Sequence, residues 1–314
     1  MRNQRQLVSI GFPVFNGQDF VEKALQSLLD QSYKNFELVI SDNASSDETS
    51  SICHRFAKKD KRIQYIRQKK NIGGIDNFNF VLKKAKGEYF MWACHDDQWD
   101  KDYIRKLLKL LESDKSADFA FSNYLFFNES KSLTTSLFLK NLFPVRTRYV
   151  LNYIDQYVLM HDTIHYALFK KDFLLRNGSF FTDSLRKKLN NRNIDILSTF
   201  KLVLAGKYLI HKEALFYKRD SKGYLDIFDN IQKHKLSFRY IKRIGFFALR
   251  EPFLYLLDFY YFILFCLKTK QFNSYEKTVI ILYLVKDLFK KEIIYSFLIL
   301  KGMLRYIVGF FKKT

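Results

Sequence analysis

Two adjacent carboxylates, Asp96 and Asp97, close a short aromatic run in GEYFMWACHDDQW, residues 87–99. Residues 88–94 have the length and apolar content of a strand buried on both faces. An open α/β sheet holds its ligands outside the carboxyl ends of its strands. Paired acids there suit a divalent cation held through oxygen, and such a cation commonly carries phosphates. The same acids, with Asp100 and Asp102 opening the next helical pattern, also read as helix caps. Cys94-His95-Asp96 has zinc-type ligands, but no second Cys or His cluster stands at ligand spacing, which argues against zinc. On this stretch alone, capping and metal binding both remain open.

The elements before it decide what lies beside those acids. Residues 7–15 read as a first strand, closed by the turn pair Asn16-Gly17. Phe20, Val21, Ala24, Leu25, Leu28 and Leu29 then recur at helical spacing. FELVIS, residues 36–41, is a second strand ending at Asp42; Ser45 and Glu48 have capping-box spacing before another helix. Residues 62–67 alternate as a third strand. Phe78, Val81, Leu82 and Ala85 share a helical face, with Gly87 as the expected C′ cap. A helix is expected from Tyr103 to Leu111, and a strand over residues 118–127.

This alternation predicts an α/β, doubly wound, mostly parallel sheet flanked by helices. Right-handed crossovers would gather Pro13, Asn16, Asp42 and the Asp96-Asp97 pair along one sheet edge. No GxGxxG or GxxxxGK[ST] follows any strand, which removes the Rossmann dinucleotide and P-loop readings.

Five segments occur in order: FPVFNG at 12–17, DNASSDET at 42–49, NIGG with Asn77 at 71–77, GEY at 87–89 and HDD at 95–97. Together they resemble the inverting, GT-A-fold glycosyltransferases of family 2, including bacterial surface-polysaccharide enzymes, over roughly residues 7–220. The resemblance implies that Asp42 hydrogen-bonds the nucleobase of a nucleotide-diphosphate sugar, although it could simply cap the following helix. It implies that Pro13, Phe15, Asn16, Asn71, Gly73 and Asn77 line the nucleotide-sugar site. It further implies that Asp97 coordinates Mn²⁺ or Mg²⁺, with Asp96 toward the ribose or supporting the metal, and Asp100 left as the helix cap. A base for the acceptor hydroxyl falls on Asp195, at the head of a helix ended by Gly206; its ordinary reading is an N-cap, and Asp162 and Asp183 are reserves. Residues 164–169 resemble the acceptor-side strand, placing His161, Asp162 and His165 near the acceptor. Arg219 is grouped with that side. Many relatives carry Arg-x-His where this chain has Arg219-Asp220-Ser221-Lys222, so Arg219 or Lys222 would replace that histidine at the diphosphate. The stretch 128–148 is expected to serve acceptor recognition or act as a flap.

Composition bounds the remainder. The 314 residues carry a formal net charge of +21, which favours anionic partners. Three cysteines, odd in number and far apart, argue against a disulfide framework and for a reducing compartment. The basic N-terminus reads as a first strand, not a signal peptide. Residues 221–314 hold 17 basic against 7 acidic residues among apolar runs too interrupted to span a bilayer. Two units are expected: a catalytic domain at 1–220 and a helical, basic and apolar extension at 221–314. The extension suits an anionic membrane surface, or packing on the core or a second subunit, with homo-oligomerisation as one form.

The expected activity is metal-dependent, inverting transfer, with a UDP-sugar as first choice of donor. The acceptor would be a glycan or lipid-linked glycan in cell-surface polysaccharide synthesis, on the inner face of the cell membrane. No nucleic-acid partner is expected. The rivals are a nucleotidyltransferase, which would want a glycine-rich first loop, and a basic membrane- or nucleic-acid-binding protein built on an inactive sheet domain.

Overall fold

The computed structural model describes residues 6–128, 132–134, 164–177 and 194–220, with positions 263, 266–267, 272–282 and 284–285 beyond them. Nine strands form one sheet: β1 (Val8–Val14), β2 (Phe36–Asp42), β3 (Ile63–Arg67), β4 (Tyr89–Trp92), β5 (Gln98–Trp99), β6 (Phe119–Phe127), β7 (Ser132–Thr134), β8 (Leu168–Lys170) and β9 (Tyr208–Arg219). Their order is β3-β2-β1-β4-β8-β6-β9-β5, with β7 on β6. Strands β1 to β4 run parallel, β6 and β9 run parallel to each other, and β8, β7 and β5 pair antiparallel. Because β8 is antiparallel to both neighbours, β6 and β9 point the same way as β1 to β4. The carboxyl ends of β1, β2, β4, β6 and β9 therefore share one edge.

The helices follow their apolar periods. In α1 (Val21–Leu29) the buried residues are Val21, Ala24, Leu25 and Leu28; in α4 (Tyr103–Ser113) they are Tyr103, Ile104, Leu107, Leu108 and Leu111. Helices α2 (Thr49–Lys59) and α3 (Gly74–Lys84) complete the first half. Helix α5 (Lys171–Arg176) follows β8, and α6 (Ile194–Ala205) leads into β9. All four residues of β4 are buried, as its continuous apolar run requires. Full burial of a large apolar side chain contributes about 1.5–3 kcal/mol. Trp92 also satisfies its indole N–H, which donates to Phe78 O at 3.0 Å.

Pro13 sits inside β1 without cost. Gly11 O accepts from Ala93 N on the β4 side, and parallel pairing between these strands ends at Gly11 and Trp92. Pro13 faces that same side one step later, where β4 has left the sheet and no ladder donor is needed.

Four local expectations are corrected. Gly87 is not a left-handed cap, since Gly73 is the one described glycine with positive φ. A Cβ on Gly87 would lie 2.6 Å from Leu7 O and 2.7 Å from Ser9 N, so close backbone approach demands the glycine. Ser45 and Glu48 form no capping box: α2 begins at Thr49, and the Ser45 hydroxyl accepts from Asn16 N instead. Asp100 shares the capping of α4. Its carboxylate accepts from Asp102 N, while the buried Gln31 amide oxygen accepts from Ile104 N. The strand expected over residues 164–169 occupies only Leu168–Lys170, because a turn from Ile164 O to Ala167 N precedes it.

Candidate donor and metal site

Two loops at the carboxyl edge are laced together. Asn16 N donates to the Ser45 hydroxyl at 3.0 Å, Gly17 N to the Thr49 hydroxyl at 2.8 Å and Ser46 N to the Asn16 side-chain oxygen at 2.9 Å. Asn16 and Ala44 hold positive φ, 48° and 62°, a conformation that costs a non-glycine residue about 1–2 kcal/mol. The lacing holds both in place, and strain of this kind clusters where a site must be preorganised. Phe15 is 43% exposed beside them.

Asp42 ends β2 with its carboxylate fully buried. One oxygen accepts from Ser45 N at 2.9 Å; the other accepts from the Tyr65 hydroxyl at 2.9 Å and lies 3.5 Å from the Arg67 guanidinium. It shapes its own turn and does not cap α2. Burial, with the hydrogen bond to Asp42, pushes the Tyr65 hydroxyl up to about 12. Asn71 takes up the Asn43 amide at 2.9 Å, and Asn43 in return accepts from Ile72 N, so the 71–73 loop lies against the end of β2. Asn71 and Gly73 are exposed there. Asn77 differs from its expected role. Buried on α3, it spends both ends of its amide on Ser41, accepting at 2.6 Å and donating at 2.9 Å. It fastens α3 to β2 and does not line the site.

The acidic turn follows β4. Asp97 is buried, and its Oδ1 accepts from Arg219 N at 2.9 Å; Asp96 is half-exposed, and its carbonyl accepts from the Arg219 guanidinium at 3.3 Å. That guanidinium lies 4.4 Å from the Phe20 ring centre and 4.9 Å from that of Phe127. Arg219 therefore belongs to the acidic turn, which corrects its grouping with the acceptor side. The cause is register: β5 begins immediately after Asp97 and pairs antiparallel with β9 at Gln98 and Tyr217.

Cys94 completes the turn. Ligand atoms of Cys94, Asp96 and Asp97 all lie within 4.8 Å of one another. Two carboxylates, one pinned by a backbone amide, are a donor set that would fit a divalent cation through oxygen. Burial, then the charges of Asp97 and Asp96, push the Cys94 thiol up to about 12. The Tyr166 hydroxyl donates to Cys94 Sγ at 3.1 Å, and the Tyr103 hydroxyl donates to Tyr166 O at 2.7 Å. His95 points away: its ring fills the space over Gly17, where a Cβ would be 2.5 Å from His95 Cδ2.

His165 is half-buried, its ring centre 6.2 Å from that of Tyr166. Asp195 lies in the first turn of α6, as expected, with its side chain outside the described residues. His161, Asp162, Asp183, Lys222 and most of 128–148 also lie outside them. Sequence reading does not place Phe20, Phe127 or Tyr166 here, and it sets Cys94 aside in arguing against zinc, whereas the structure brings Cys94 beside both carboxylates.

Comparison with known proteins agrees with this layout. The family model described as Glycosyl transferase family 2 matches residues 9–177, more than half of the chain. TuaG of Bacillus subtilis (strain 168), provisionally named a teichuronic acid biosynthesis glycosyltransferase, is 35% identical over 124 residues, 40% of this chain and 49% of TuaG. Glycosyltransferase GlyA of Streptococcus pneumoniae serotype 4 is 35% identical over 126 residues, 40% of this chain and 18% of GlyA. The match thus spans half or less of those relatives. The structure of S. aureus TarS 1-349 in complex with UDP-GlcNAc superposes with TM-score 0.63 at 17% identity, covering 91% of this chain and 73% of that one. Mannosyltransferase PcManGT from Pyrobaculum calidifontis, in complex with GDP-Man and Mn²⁺, gives TM-score 0.51 at 16% identity, covering 96% and 80%. The fold is GT-A, and with the ordered motifs at its carboxyl edge the chain is a glycosyltransferase belonging to glycosyl transferase family 2.

Proposed function

We propose that the chain transfers a sugar, with inversion and metal dependence, from a nucleotide-diphosphate donor to a hydroxyl of a cell-surface glycan or its lipid-linked precursor. The observation that carries this is the Asp97 carboxylate, buried and oriented by Arg219 N beside Asp96. Asp97 and Asp96 would hold Mn²⁺ or Mg²⁺. A divalent cation there supplies charge neutralisation to the departing diphosphate. The Arg219 guanidinium, held between the Phe20 and Phe127 rings, is assigned to the same phosphates.

The nucleobase and ribose rest against Phe15, Asn16 and the 71–73 loop. Asp42 is assigned to the nucleobase; its carboxylate is fully enclosed, with Oδ1 accepting from Ser45 N, so a base N–H reaches it only when the turn at 43–45 gives way. A UDP-sugar is the first donor to test: the superposing S. aureus TarS structure is a complex with UDP-GlcNAc, whereas the PcManGT complex holds GDP-Man. Asp195 is assigned as general base. It takes the acceptor hydroxyl proton as the new C–O bond forms and the old sugar–phosphate bond breaks on the opposite face. The catalytic unit is assigned to residues 1–220, in keeping with β9 ending at Arg219.

Peripheral attachment to the inner face of the cell membrane is assigned to residues 221–314. On the helix at 274–282, Tyr275 and Leu282 are 76% and 62% exposed on one face, while Phe272 just before it and Ile280 are buried. Such a face suits a lipid interface. Among the described residues, no helix is long and apolar enough to cross a membrane. Titration with UDP-, GDP- and dTDP-sugars in the presence of Mn²⁺ tests the donor assignment. Saturable binding of one nucleotide class is expected; failure of every nucleotide sugar to bind would sink it.

A further inference from the structure

We propose that Cys94 is a sulfur ligand of the metal site and tilts its preference from Mg²⁺ toward transition ions. The inference rests on the metal-dependent reading above and adds a ligand to it. Three observations carry it.

First, Cys94 Sγ joins the Asp96 and Asp97 carboxylates in one cluster within 4.8 Å, the only such group among the described residues. Second, the intervening imidazole is turned away: His95 packs over Gly17. The backbone thus delivers residues 94, 96 and 97 to one side and residue 95 to the other. Third, the sulfur is held. The Tyr166 hydroxyl meets it at 3.1 Å, and Tyr166 is anchored by the Tyr103 hydroxyl on its carbonyl, with its ring centre 4.9 Å from that of Phe216 and 6.4 Å from that of Trp99. Outer hydrogen bonds of this kind orient metal ligands and stabilise their charged form. Cys53 and Cys266 are buried without such a cluster.

On ligation the thiol proton leaves to solvent and a sulfur–metal bond forms, with no change in oxidation state. Mg²⁺ takes oxygen ligands in a strict octahedron. Thiolate ligands favour softer transition ions, so one sulfur in place of an oxygen shifts selectivity.

The test titrates Co²⁺ into the full chain, alone and with UDP or GDP, and follows near-ultraviolet absorbance. A sulfur-to-cobalt charge-transfer band is expected in the wild type and absent in Cys94→Ser. The Mn²⁺-over-Mg²⁺ affinity ratio should fall on the order of tenfold in that variant. Cadmium NMR of the wild type reads sulfur ligation directly and needs no variant, should Cys94→Ser fail to fold. Co²⁺ binding without a charge-transfer band, or a cadmium shift typical of oxygen ligands alone, overturns the inference and leaves the metal-dependent reading standing. No binding of Co²⁺ or Mn²⁺ under any condition overturns both.

Discussion

The backbone amide of Arg219 donates to Asp97 Oδ1 at 2.9 Å, joining the end of the longest-range strand pairing to the acidic turn after β4. Main chain and side chain act together, because the guanidinium of the same residue lies between Phe20 and Phe127 and reaches Asp96 O. Arg219→Lys keeps the amide and the charge but loses the planar guanidinium between the two rings, where each cation–π contact is worth about 0.5–2 kcal/mol. We expect a lower Tm by differential scanning calorimetry and weaker donor binding, with Mn²⁺ still bound. A variant indistinguishable from wild type in both would remove the clamp from the account.

Asp195→Asn should lower kcat by about 10²–10⁴-fold, the usual worth of a general base. The donor dissociation constant by calorimetry should stay within about twofold, since the base acts on the acceptor. Full turnover in the variant places the base elsewhere, with Asp162 and Asp183 next to be replaced.

Gly73 and Gly74 should respond oppositely to alanine. A Cβ meets nothing within 4 Å at either, but Gly73 has φ +88° and Gly74 opens α3. Gly74→Ala should stabilise by about 0.4–1 kcal/mol and Gly73→Ala, at φ +88° and ψ 153°, destabilise by about 1–3 kcal/mol in urea melts. Equal effects would contradict the positive-φ requirement at Gly73.

An acid limb of stability is expected from Asp114. Hydrogen bonds from Lys207 and Ser116 hold its carboxyl at about 2, below its ordinary value of 3.8. A depressed folded-state value means that the contribution is complete above the unfolded value and fades as pH falls from about 4 toward 2. The pair is partly exposed, at 26% and 32%, so screening keeps its worth to about 0–1 kcal/mol. Lys207→Met should flatten the slope of ΔG against pH in that window; an unchanged slope would show that the pair carries none of it.

The first half of the sheet was legible because its signals are local. The periods of α1 and α4, the apolar run of β4 and the turn residues after β1 and β2 each repeat over several residues. What escaped prediction depends on partners distant in sequence. The two residues of β5 and three of β8 are too few to show a period, yet β5 carries Arg219 to Asp97 and β8 sits between β4 and β6. Asn77 is given a ligand contact by the family resemblance of the NIGG segment; its partner, Ser41, lies 36 residues earlier. The grip of Tyr166 on Cys94 spans 72 residues. Motif order brought these residues to one sheet edge, and tertiary register set the contacts among them.

The most direct measurement is transfer from the bound nucleotide sugar before and after removal of divalent ions, in the wild type and in Asp97→Asn. The account predicts that chelation abolishes transfer and Mn²⁺ restores it. Asp97→Asn, still folded and still able to accept from Arg219 N, should lose on the order of 10²–10³-fold in kcat, the scale of a lost electrostatic contact to the transition state. Transfer unaffected by chelation, with Asp97→Asn as active as wild type, would contradict it.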